Sequence, residues 1–121
     1  MKPETRKLLL NCRVPQHLLG YQYLGTAVEA VLEDDKYLRS ITKELYPLIA
    51  HMYSTTLSRV ERAMRHAIEV AFDNMAPEII RDIFGYSVNP FSGKPTNGHF
   101  VAALVEVLRE NESNTADRRE V

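Results

Sequence analysis

The sequence predicts an all-α domain of about six helices, with a helix-turn-helix formed by the third and fourth. Three observations carry that expectation. Apolar residues recur at spacings of three and four through the long segments, prolines and glycines fall mostly at their edges, and no run alternates as a strand would. There is also no internal repeat and no low-complexity segment.

The first helix is short: Pro3 opens it, Leu8, Leu9 and Leu10 are its apolar set, and Arg13-Val14-Pro15 ends it, since a residue before proline avoids the helical region. The second runs from His17 to about Asp34, burying Leu18, Tyr21, Leu24, Val28, Val31 and Leu32, with Gly20 and Gly25 weakening it slightly. A third is expected from Lys36 to Tyr53, with Leu38, Ile41, Leu45, Leu48, Ile49 and Met52 inward; Pro47 either kinks it or starts its second half. The fourth is STTLSRVERAMRHAIEVAF, residues 54–72, with Thr56 as N-cap. Ala76-Pro77-Glu78 opens a fifth, carrying Ile79, Ile80, Ile83 and Phe84, which Gly85 ends. After the loop YSVNPFSGKP, Thr96 caps a last helix bearing Phe100, Val101, Leu104, Val105 and Leu108. The domain is thus expected over residues 1–112, with a disordered tail over 113–121.

Composition narrows the function. With 121 residues, 45% hydrophobic, 26% charged and a formal net charge of -1, the chain reads as one globular domain with no whole-molecule attraction to nucleic acid. One cysteine, Cys12, excludes a disulfide framework and a cysteine-based zinc site, and is expected to be a small buried hydrophobe. Without a signal peptide or an apolar run long enough to span a bilayer, a cytoplasmic location with no membrane contact is expected. His17, His51, His66 and His99 lack metal-ligand spacing, and no phosphate loop, nucleophile elbow or carboxylate pair is visible. Neither an enzyme nor a cofactor is expected.

Charge placement is more informative than total charge. Between Lys36 and His66 the basic residues Lys36, Arg39, Lys43, Arg59, Arg62 and Arg65 face only two acids, Glu44 and Glu61. At 100° per residue, Leu57, Val60, Met64, Ala67, Ile68 and Ala71 gather on one side of the fourth helix; Arg59, Arg62, His66 and Glu69 lie opposite, flanked by Ser58 and Arg65. Exposed basic faces are commonly plain solvated charge. Here the face follows a short polar turn at Ser54-Thr55, with Ser54 where such motifs often carry glycine, and small Ala50 lets two helices cross closely. A guanidinium donates twice to guanine O6 and N7, and a carboxylate accepts from cytosine N4. Arg59, Glu61 and Arg62 sit where base readout needs them, with Glu61 toward the flank. Lys43, Thr55, Thr56, Ser58 and Lys94 are expected backbone or nearby contacts.

The stretches GYQYLGTAVEAVLEDDKYLRSITKELYP, IAHMYSTTLSRVERAMRHAIEVAF, FGYSV and KPTNGHFVAALVEVLR closely resemble the C-terminal effector domain of the sporulation response regulator family, stage-zero sporulation protein A. The resemblance runs from near residue 5 to Arg109. It implies a DNA-binding transcription regulator whose fourth helix enters the major groove of double-stranded DNA at TGTCGAA-like boxes, acting as tandem dimers. It puts the base contacts on Arg59, Glu61 and Arg62, with Arg65 and His66 close to the DNA. An RNA polymerase sigma-factor surface would fall at residues 77–88, where FGY is kept and the preceding residues differ. The family's phosphoacceptor receiver is not read in this sequence, which is either an excised fragment or a natural stand-alone form, and constitutive, modest and salt-sensitive binding is expected. The five apolar residues of the last helix either all pack into the domain or leave a surplus for self-association on tandem sites. A competing class is an interaction module that dimerises with or titrates a full-length regulator or the polymerase.

Overall fold

A computed structural model describes residues 1–85 and 93–120, with side chains as far as Asn114. Its helices are α1 (Pro3–Asn11), α2 (Leu19–Glu33), α3 (Lys36–Arg39), α4 (Tyr46–Met52), α5 (Leu57–Asn74), α6 (Pro77–Ile79) and α7 (Asn97–Glu120). Single π-helical turns, Ile41–Leu45 and Ile80–Phe84, precede α4 and follow α6. Among the described residues there is no strand. Among those residues, too, no helix is long and apolar enough to cross a membrane.

The core is one cluster to which every long helix contributes: Leu9 from α1, Leu24 and Val28 from α2, Ile49 from α4, Met64 and Ile68 from α5, Phe100 and Leu104 from α7. α5 lies along α2, and α7 packs against α2, α5 and α1. Phe84 stacks on Phe100, with ring centroids 5.1 Å apart and planes 21° apart, while Phe72 meets Phe84 edge-on at 4.9 Å. On the far side, Arg109 of α7 donates to Asp35 and to the Val31 carbonyl, and this guanidinium holds the Asp35 carboxyl below its ordinary pKa.

The expected third helix is three pieces. It breaks at Ser40 (φ -140°, ψ 65°), and the Leu45 amide reaches back five residues to the Ser40 carbonyl at 3.2 Å. Pro47 has no N–H to give Lys43 and sits in the first turn of α4, so the chain expands into a π turn before the helix restarts. Of the two roles expected for Pro47, it takes the second.

Other boundaries follow the local chemistry. Arg13 adopts φ 63°, with its amide on Leu10 and that of Val14 on Leu9, a Schellman stop for α1. Gly85, at φ 35°, ends the turn after α6. Residues 86–92 of the loop read from the sequence lie outside the described residues. α7 runs to Glu120, beyond residue 112 where a disordered tail was expected; with neither glycine nor proline after Gly98, nothing in the segment stops it.

Of the two readings of the last helix's apolar stripe, the structure follows the first. Phe100, Val101, Leu104, Val105 and Leu108 are all buried within the domain's own core, because α7 is central and walled on several sides. Those residues leave no spare apolar stripe for self-association.

Cys12 is fully buried, and burial pushes its thiol up to about 12. A raised thiol pKa favours the protonated, folded state. Its contribution is complete below the unfolded value of 9.0 and is lost as pH climbs toward the folded one. The native thiol should therefore resist Ellman's reagent at pH 8 and react fully in guanidinium. Between pH 9 and 11 the urea midpoint should fall more for the wild type than for Cys12→Ala.

Candidate nucleic-acid interface

The turn between α4 and α5 is two helix caps placed end to end. Ser54 takes φ 51°, the Ser54 amide bonds the His51 carbonyl at 3.4 Å, and the Thr55 amide bonds that of Ala50 at 2.9 Å, a Schellman closure of α4. Glycine is the usual occupant of that left-handed position, which is why Ser54 stood out in the sequence. Two residues later the Thr56 hydroxyl accepts the Arg59 amide at 3.3 Å and starts α5. Tyr53 ties the turn to α2: its hydroxyl is 2.7 Å from Thr26 Oγ1, and its ring meets Tyr23 edge-on at 5.1 Å.

The two faces of α5 are sharply divided. Val60, Met64, Ala67, Ile68, Ala71 and Phe72 are buried, whereas Ser58, Arg59, Arg62, Arg65, His66 and Glu69 are exposed. Arg62 Nε donates to the Ser58 carbonyl at 3.3 Å, which extends the side chain along the first turn. Arg59 and Arg62 stand about 4.5 Å apart along the axis. Arg65 is different, because its guanidinium bonds Glu61 Oε1 one turn back. Glu61 is half-buried on the flank facing α7, as its wheel position suggested. With Arg65 held by Glu61 and Lys36 by Glu44 at 3.8 Å, the open cations of this region are Arg39, Lys43, Arg59 and Arg62.

The remaining sequence candidates scatter. Thr56 is engaged as the cap, Thr55 is half-buried in the turn, and Lys43 is exposed on the π turn before α4. Lys94 bonds Asp73 Oδ1 at 3.0 Å and the Glu69 carbonyl at 3.3 Å. That holds it beside the C-terminal half of α5, at least about 10 Å along the axis from Arg62. Of the segment 77–88, Glu78, Arg81 and Asp82 are exposed, Ile79, Ile80 and Ile83 are half-buried, and residues 86–88 lie outside the described residues.

Residues 5–108 match the family model described as sporulation initiation factor Spo0A C terminal. The chain belongs to that family. It is therefore a DNA-binding domain of a sporulation regulator, acting in transcription regulation. The matched span runs from Thr5 in α1 to Leu108 in α7, so the buried and exposed faces of α5 both fall within it.

Sequence reading missed one member of this region. Asn97, at the head of α7, is buried and donates from Nδ2 both to the Tyr46 hydroxyl at 2.9 Å and to the Glu61 carbonyl at 3.1 Å. No spacing rule points to a bond spanning 51 residues. The one local signal was its place directly after the Thr96 cap, where an asparagine has no capping work left to do.

Proposed function

We propose that α4 and α5 act as a helix-turn-helix that reads TGTCGAA-like boxes, with α5 in the major groove. The observation that carries this reading is the pair Arg59 and Arg62, both exposed on the first turns of α5; Glu69, the acid on that face, lies about two turns beyond Arg62. Each guanidinium donates to guanine O6 and N7, and Glu61 accepts from cytosine N4 once Arg65 swings from it toward a phosphate. The head of α5 favours a phosphate oxygen, since its first amides point outward and its dipole is positive there. Ser58 is exposed in that first turn, while Lys43 on the π turn before α4 and His66 about two turns further along α5 are further candidate contacts.

Competitive mobility shifts with a TGTCGAA duplex and a scrambled duplex test the reading. Arg59→Ala and Arg62→Ala should each cost about 1–3 kcal/mol on the box and little on scrambled DNA. Lys43→Ala should weaken both duplexes alike and lower the salt slope by about one. Equal losses on both duplexes for the arginine variants would remove the base-reading assignment.

A further inference from the structure

We infer that Asn97 is a positioning residue that fixes the pose of the reading helix, a role that rests on the base-reading function proposed for α5. The argument starts from hydrogen-bond capacity. An asparagine side chain has two amide hydrogens, and here one bonds the Tyr46 hydroxyl at 2.9 Å and the other the Glu61 carbonyl at 3.1 Å. Asn97 is only 8% exposed, so losing either partner would leave a buried donor unpaired.

The two partners are what give the bond a function. Tyr46 is the first residue of α4, the end furthest from the turn, and Glu61 lies between Arg59 and Arg62 on α5. The turn 53–56 joins the two helices, and Asn97 braces the far end of α4 to the second turn of α5. A joint braced across its two arms has a fixed angle. The clamp is itself held firmly: the His99 amide bonds Thr96 Oγ1 at 3.1 Å, fixing the first turn of α7. Gly98 in that turn faces the Ile41 side chain of the π turn before α4, and a Cβ there would come within 2.5 Å of Ile41 Cδ1.

The residue types suit the task. Aspartate would set a carboxylate against the Glu61 carbonyl, and serine has a single hydrogen to share between two acceptors. Because Asn97 is buried and touches the Glu61 backbone rather than its carboxylate, it adds nothing to the surface offered to phosphates. Its removal should therefore loosen base geometry and leave the electrostatic part of binding alone.

The test compares wild type, Asn97→Ala and Tyr46→Phe on the TGTCGAA and scrambled duplexes across a salt series, with circular dichroism reporting folding at the assay temperature. Asn97→Ala should lower the cognate-to-scrambled affinity ratio about tenfold, the scale of one good base contact. Tyr46→Phe removes one hydroxyl and should lower it about threefold, the scale of one neutral hydrogen bond. The salt slope should not change in either. Folded variants that keep the wild-type ratio would overturn the clamp, as would equal losses on both duplexes. If Asn97→Ala does not fold, Tyr46→Phe decides alone. A wild-type chain that fails to discriminate would instead remove the base-reading proposal and this inference with it.

Discussion

Phe100→Ala is expected to destabilise the domain by about 3–5 kcal/mol, a large share of what a chain of this size possesses. Phe100 is fully buried, stacked on Phe84 at 5.1 Å and set edge-on to Phe72 at 6.3 Å. Those three rings come from α7, the π turn after α6, and the end of α5. Deleting the Phe100 ring leaves a cavity that two large rigid neighbours cannot fill by small shifts. It also frees the segment 77–84, whose remaining buried anchor is Phe84. Urea denaturation should show the loss as a lower midpoint at an unchanged slope. Near-ultraviolet circular dichroism should lose intensity before the far-ultraviolet signal does. Phe100→Leu, which refills much of the volume, should recover more than half of the loss; an alanine variant within 1 kcal/mol of wild type would mean the ring cluster is not what joins these elements.

The parts of this molecule that were legible in the sequence are those fixed by chemistry within a few residues. Thr56 capping α5, the Pro77 start and Gly85 stop of the short segment, and the division of α5 into an apolar and a basic face all follow from local pattern. Ser54 in the left-handed region was visible as a departure from glycine. What escaped was set by neighbours far along the chain. The burial of the whole α7 stripe depends on how many helices surround it. Asn97 bonds partners 51 and 36 residues away, which no periodicity encodes. For the candidate interface this means that the exposed cations could be read from a helical wheel. The pairing of Arg65 with Glu61, one turn apart, is of the kind helical spacing offers, whereas that of Lys94 with Asp73 could not be read, because a wheel gives no partner from another segment.

Gly20 and Gly25 look alike in the sequence, two glycines that each cost α2 some helix propensity, yet substitution should move stability in opposite directions. A Cβ on Gly20 would fall against the Ala63 carbonyl of α5 and within 2.6 Å of Ala67 Cβ, and backbone cannot rotate aside. A Cβ on Gly25 would meet only the end of the Met1 side chain, which is half exposed and free to swing. Gly25→Ala should then stabilise by up to about 1 kcal/mol, the ordinary gain of alanine over glycine in a helix. Gly20→Ala forgoes that gain because α5 must retreat, and Gly20→Val should destabilise by about 3 kcal/mol or more. The same retreat should reach function. Ala63 follows Arg62 directly, so the α2–α5 crossing sets how far the arginine face stands out from the body of the domain. Gly20→Val, assayed at a temperature where circular dichroism shows it folded, should bind the TGTCGAA duplex more weakly than wild type, while Gly25→Ala binds it equally. If both alanine variants are stabilising by the same amount, the close approach of α2 to α5 does not constrain the pose of the reading helix, and its position must be set by the turn and by Asn97 alone.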